Sequence, residues 1–185
     1  MDIHTAMTTR RTIHYWKPLP VPEDVVTKAL EAAHMAPCHR YTWPWRFNRV
    51  GAQSRAKIFD LALQIKQGKR GSFPLHALEV MKRKMQNPAV LIVVSMINHE
   101  DDFTDQENYA AVSCAIQNMA LSFHASGYGS KWSTGKVTRD KLTYEILNIH
   151  PQEERIVGFI WAGVPESTPR APTRPDVEEY IRIKD

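Results

Sequence analysis

A chain of 185 residues, 43% hydrophobic and 24% charged, has the size and make-up of one globular domain, residues 1–185, built around a single core. Its 24 Lys and Arg against 20 Asp and Glu leave +4, an excess too mild and dispersed to announce a nucleic-acid binder. Two cysteines make neither a disulfide framework nor a metal-binding set, and the longest apolar run, Ala89 to Val94, is too short to span a bilayer. The first residues lack the apolar stretch of a signal peptide, so a reducing cytoplasm is the expected compartment.

A short helix is expected over Ile3 to Thr9. "PLPVPEDVV" then signals a second start, with Pro22 near the first turn and Glu23 and Asp24 at the positive end of the helix dipole. The helix that follows runs to about Met35 and puts Val25, Val26, Ala29, Leu30 and Ala33 on one face, and Pro37 stops it. "WRFNRVG" reads as a strand with Trp45, Phe47 and Arg49 on one side. "QSRAKIFDLALQIK" and "LHALEVMKRKM" read as helices, joined by "GKRGSFP", a loop with the composition of a lid. "PAVLIVVSMI" is a buried strand by its β-branched content.

The segment from Asn108 to Ala125 is helix-length and apolar on nearly every face. Such a helix must be covered on all sides, and a chain this small lacks the cover, which argues for a homodimer. "RIVGFIWAGV" is a further buried strand, and the proline-rich tail after it should wrap rather than pack as one helix. Helices alternating with buried strands give an α+β sandwich, a sheet with helices on its faces.

Three stretches carry chemistry. In "APCHRYTWPWRF", Cys38 and His39 are adjacent, but neighbours on an extended chain point opposite ways. No third orienting group or second ligand cluster stands near them, so a packing or contact role outweighs a nucleophile or a zinc site. In "TTRRTIHYW", Arg10, Arg11 and Thr12 place two guanidinium groups beside a hydroxyl where a helix gives way to irregular chain. That set suits a phosphate, since Arg offers paired donors, and it suits an ordinary charged surface as well. Arg170 and Arg174 are available to complete it. "GYGSKWSTGK" is neither a Walker loop nor a dinucleotide fingerprint. It reads as a loop whose glycines allow a flat ligand to come close and whose Trp132 offers an aromatic wall.

The order of "RRT", "APCHRYTWPWRF" and "GYGSKWSTG" along the chain resembles the nitroreductase family of FMN-dependent oxidoreductases. The likeness is greatest to its compact branch, which carries Ala-Pro-(Asp/Asn)-His ahead of Pro-Trp-(Arg/His)-Phe. The resemblance implies an α/β/α sandwich with a mostly antiparallel central sheet and a homodimer whose helix-rich interface holds two FMN sites. Arg10, Arg11 and Thr12 match the segment that holds the FMN phosphate and ribityl chain. His39 matches a histidine reaching the partner subunit's flavin, and Trp132, Ser133 and Thr134 match the stretch along the isoalloxazine, where Gly135 lets the backbone turn. Residues 122–127 fall in the segment that contacts NAD(P), and Arg174 aligns with a tail arginine near the phosphate.

The chain departs from the branch at several cofactor positions. Met35 stands in place of an arginine, Cys38 of Asp or Asn, Tyr41 of a flavin-bonding asparagine and Trp43 of Gln or Glu. His14 occupies a position usually Lys or Arg beside the flavin N1–C2 carbonyl edge, so the charge there depends on protonation. The implied activity is ping-pong reduction of a small electron-poor acceptor, a nitroaromatic or quinone, by NAD(P)H through FMN. The competing expectation is a flavin-binding storage or sensor module without turnover. No membrane, nucleic-acid or metal role is expected.

Overall fold

The helix starts follow from capping chemistry. Asp2 accepts the Thr5 N–H at 2.9 Å and opens α1, Ile3–Thr9. Pro22 precedes α2, Glu23–His34, whose first turn carries Glu23 and Asp24. Asp101 accepts the Thr104 N–H at 2.8 Å and opens the long helix α5, Asp102–Ala125. Between them lie a 3-10 turn at His39–Tyr41, strand β1 (Trp45–Arg49), helices α3 (Ala52–Gln67) and α4 (Leu75–Met85), and strand β2 (Val90–Ile97). After α5 come β3 (Gly129–Ser133), α6 (Lys141–Leu147) and β4 (Glu154–Gly163). The structure is a computed structural model that describes residues 1–68 and 74–184. Most of the expected lid, "GKRGSFP", lies outside the described residues.

The four strands form one sheet in the order β1-β2-β4-β3, with every neighbouring pair antiparallel. Alternation along β2 supplies two cores. Ile92, Val94 and Met96 face α2 and α5, packing with Val26, Ala29, Val112, Ile116 and Met119. Leu91 and Val93 face the other way, with Ile58 of α3 and with Trp16. In β4 the alternation breaks: Val94 pairs with Gly158 and Ser95 with Ile156, leaving Val157 as the extra residue of a bulge. This shift puts Val157 in the first core and Ile156 in the second. Arg55 of α3 ties the end of α4 to the sheet. Its guanidinium donates to Met85 O at 2.8–2.9 Å and also to Pro88 O, and it lies over the Trp161 ring.

Two expectations change. The stretch 127–136 is not a loop throughout, because Gly129–Ser133 is an edge strand. Its strand state comes from pairing with β4 rather than from propensity, since a five-residue run with a glycine and two serines carries little β signal. The segment Ile13–Lys17 lies along the same edge: Ile13 donates to Ser130 O at 3.0 Å and Lys17 to Val164 O at 2.9 Å. Helix α5 also begins six residues before the apolar stretch that announced it, through its Asp101 cap. Its inner side is buried through Ala111, Ala115, Met119 and Phe123, while Phe103 and Tyr109 remain exposed. No described helix is long and apolar enough to cross a membrane.

Candidate functional site

The last turn of α1 delivers Arg10 and Arg11 to the edge of β3. Arg11 is pinned to the helix end, its Nη1 donating to Thr8 O and Arg10 O, both at 2.8 Å. That leaves its Nε buried and without a partner. Arg10 is half-buried, and burial first, then the charges of Arg11 and Arg174, hold its guanidinium pKa below the ordinary value. The tail arginine therefore comes within electrostatic reach of Arg10. None of these three arginines pairs with a carboxylate among the described residues. His124 of α5 joins them, its Nε2 2.8 Å from the Thr9 hydroxyl. Burial, then Arg10 and Arg11, lower the His124 pKa. A cluster of donors with one orphaned N–H and, among the described residues, no carboxylate partner has the chemistry to hold an anion.

Three cavities run in line from this cluster. The first, about 180 Å³, is bounded by Arg10, Arg11, His124 and Ser130. The second, about 420 Å³, shares Arg10 and Ser130 with it and adds Thr12, Gln117, Trp132 and Thr134. The third, about 550 Å³, shares Trp132 and Thr134 with the second and adds Ser133, Gly135, Lys131, Phe159 and Trp161. Trp132 is thus the partition between the larger two. Its indole N–H reaches Val157 O at 3.4 Å, and its ring lies on Gly158, where a Cβ would stand 2.1 Å from the indole nitrogen. The bulge in β4 and its glycine make room for the wall. His14 lies near Lys131 and Lys84, and burial followed by these charges lowers its pKa. The imidazole therefore needs more acid than an ordinary histidine to gain its charge.

Six expected positions, Arg10, Thr12, Trp132, Ser133, Thr134 and Gly135, line the two larger cavities, Arg11 lines the first, and Arg174 approaches its arginine end. His14, Met35 and His39 line none of the three within one chain. Met35 caps α2 and is 79% exposed. His39 lies beside the first half of α5, its Nδ1 3.7 Å from Glu107. The loop around it is held by its own contacts. Cys38 Sγ accepts the Trp43 N–H at 3.2 Å and lies 3.3 Å from the Thr42 hydroxyl, which donates to Asn108 at 2.6 Å. Arg40, Tyr41 and Trp43 all adopt the left-handed region with φ of 53°, 54° and 45°. Cys38 therefore keeps a polar contact to the backbone where an Asp or Asn was expected.

Ser130, Gln117, His124, Lys84 and Lys131 were not singled out by sequence. Alternation along β3, once it is known to be a strand, sends Ser130 and Trp132 one way and Lys131 and Ser133 the other. The described residues hold no group of three or more His, Cys, Asp or Glu placed to bind a metal.

Residues 7–164 match the sequence model of the nitroreductase family. "Putative NAD(P)H nitroreductase YfhC" of Bacillus subtilis is 27% identical over 92% of this chain and 88% of its own. A nitroreductase-like family protein from Bacillus cereus superposes with a TM-score of 0.86 at 24% identity, covering 100% of this chain and 97% of that one. A nitroreductase-type structure from Desulfovibrio desulfuricans, solved in complex with FMN, gives a TM-score of 0.76 at 22% identity over 100% and 98% of the two chains.

Proposed function

Because the chain belongs to the nitroreductase family, we propose that it is an FMN-dependent oxidoreductase using NAD(P)H to reduce nitroaromatics, quinones or related electron-poor acceptors in a ping-pong cycle. The observation that carries the reading is the arginine cluster at one end of a groove with an indole wall at the other. Phosphate fits the cluster, because Arg11 Nε is a buried donor lacking an acceptor. Arg10 and Arg174 add uncompensated charge beside it. Thr12 and Ser130 present hydroxyls between the ends for the polyol, and Trp132 with Thr134 borders the region suited to a flat ring. When bound, FMN supplies the hydride-accepting and hydride-donating chemistry.

What the chain supplies is grip, orientation and field. The arginines fix the anionic tail with charge-assisted hydrogen bonds, each contributing about 1.5–3 kcal/mol. Trp132 is itself positioned by Val157 O and Gly158, so the wall is set before any ligand arrives. No side chain in the groove is assigned as acid or base.

The same reading makes the protein a homodimer. Helix α5 exposes Phe103 and Tyr109, α1 exposes Ile3 and Met7, and the tail exposes Val177, Tyr180 and Ile183. Apolar surface of this extent on one chain favours a second copy. In that assembly the loop bearing Met35 and His39 would face the partner's groove. Two free cysteines suit a reducing cytoplasm, where NAD(P)H is at hand.

The test is the visible spectrum of the purified protein, followed by anaerobic mixing with NADH and with NADPH. A yellow protein that bleaches rapidly supports the enzyme. A yellow protein that stays yellow with both supports a storage or sensor module, and a colourless one that takes up no FMN discards the reading.

A further inference from the structure

The third cavity differs in character from the groove it adjoins. Its floor is aromatic and apolar, built from Trp132, Phe159, Trp161 and Met81. Its rim carries Lys66, Lys84, Lys131 and Lys136, and among the described residues no acidic side chain lines it. Helix α4 shows that this imbalance is local. Lys82 pairs with Glu79 at 2.9 Å and Arg83 with Glu166 at 2.5 Å, so the outward cations of the helix are neutralised. Lys84, on the cavity side, meets no carboxylate among the described residues and rests 5.2 Å over the Tyr15 ring. Lys131 likewise has no acidic partner among them. It is half-buried, and burial together with Lys84 and Lys66 lowers its pKa. Lys84 and Lys131, like charges beside an aromatic floor, repel one another until an anion enters.

We propose that this cavity is the acceptor subsite and that it selects aromatic acceptors bearing a fixed negative charge, such as a ring carboxylate. The inference rests on the oxidoreductase reading and narrows its substrate class. The floor takes the ring, Lys131 and Lys84 take the carboxylate, and the shared wall of Trp132 and Thr134 keeps the acceptor next to the groove. A cavity of about 550 Å³ has the size of a small-molecule site.

The test is calorimetric titration of the protein as purified, at low salt and without NAD(P)H, with 4-nitrobenzoate and with 4-nitrobenzyl alcohol. The carboxylate is expected to bind at least about tenfold more tightly, the usual size of one charge-assisted contact. Lys131→Met and Lys84→Met should each remove most of that preference while changing the alcohol's affinity by less than about threefold. Should the strand variant not fold, the α4 variant decides alone. Equal affinities in the wild type, or a preference that survives both substitutions, overturns the proposal. So does a result in which the variants lose discrimination between NADPH and NADH but keep their hold on nitrobenzoate, because the lysines would then serve the coenzyme's 2′-phosphate. The titration needs no turnover. A chain that prefers the carboxylate yet reduces nothing with either coenzyme upholds the subsite while sinking the enzyme reading.

Discussion

The arginine cluster and the loop from Ala36 to Phe47 are both irregular stretches following a helix, yet they are built on opposite plans. In the loop several polar groups are paired: Trp43 N–H on Cys38, Thr42 on Asn108 of α5, and the Trp45 indole on His34 at 3.1 Å. Holding three side-chain-bearing residues at positive φ costs on the order of 1–3 kcal/mol each, and these contacts offset it. At the cluster the reverse holds. Backbone geometry is ordinary, but like charges are brought together and one buried donor goes unmet. A segment whose polar groups are paired suits a scaffold, and one that leaves charge unanswered is suited to receive an anion.

The largest expected effect comes from breaking the seam that carries the cluster. A Cβ on Gly129 would stand 2.3 Å from Ile13 Cγ1, on a β-branched side chain with little freedom to move. Gly129→Val should lower stability by about 3 kcal/mol in urea unfolding. It should also weaken FMN binding, because Thr12 and Ser130 move apart. A stability within about 0.5 kcal/mol of wild type would show that the seam is free to shift.

Arg10→Ala sharpens the contrast instead of breaking it. Flavin affinity should fall roughly 10- to 100-fold, measured by fluorescence titration of the FMN-free protein. Stability without FMN should hold or rise slightly, since the removed charge has only like neighbours. Parallel losses in both quantities would make Arg10 a structural residue. For the loop the pattern inverts: Cys38→Ala should cost up to about 1 kcal/mol of stability by removing the acceptor of the Trp43 N–H. Cys38→Ser should recover most of it, because a hydroxyl oxygen accepts the same N–H. Identical stabilities for the two variants would mean that the sulfur contact contributes nothing.

The same contrast explains what the sequence made legible. The helices α1 to α4 and strands β1, β2 and β4 follow from caps, periodicity and β-branched runs, which are local signals. Arg10, Arg11 and Thr12 could be read because charged and hydroxyl side chains crowd a helix end in three consecutive residues. Strand β3 was hidden because its conformation is imposed by β4, and with it went the facing of Ser130 and Lys131. His124 was placed only in a general coenzyme segment, because its proximity to Arg10 spans more than a hundred residues of chain. Helix α6 is seven residues long, framed by the Asp140 cap and by Asn148 at φ 53°, too short for a periodic pattern to emerge. Met35 and His39 border none of the groove's cavities in a single chain, so nothing local marks them as cofactor contacts.

The smallest expected effect concerns protons. His124 has a folded pKa below the ordinary imidazole value, so as pH falls the unfolded chain takes up its proton first. Stability is then unaffected above about pH 7 and declines as pH drops through about 6.5. His14 has the same sign and adds to the decline. Thermal unfolding at pH 7.5 and 5.5 should show a smaller loss for His124→Gln than for the wild type. With FMN present the wild-type loss should shrink, because a phosphate beside Arg10 and Arg11 cancels the repulsion that disfavours the imidazolium. A loss of equal size with and without flavin would separate His124 from the anion site and leave the arginines to hold it alone.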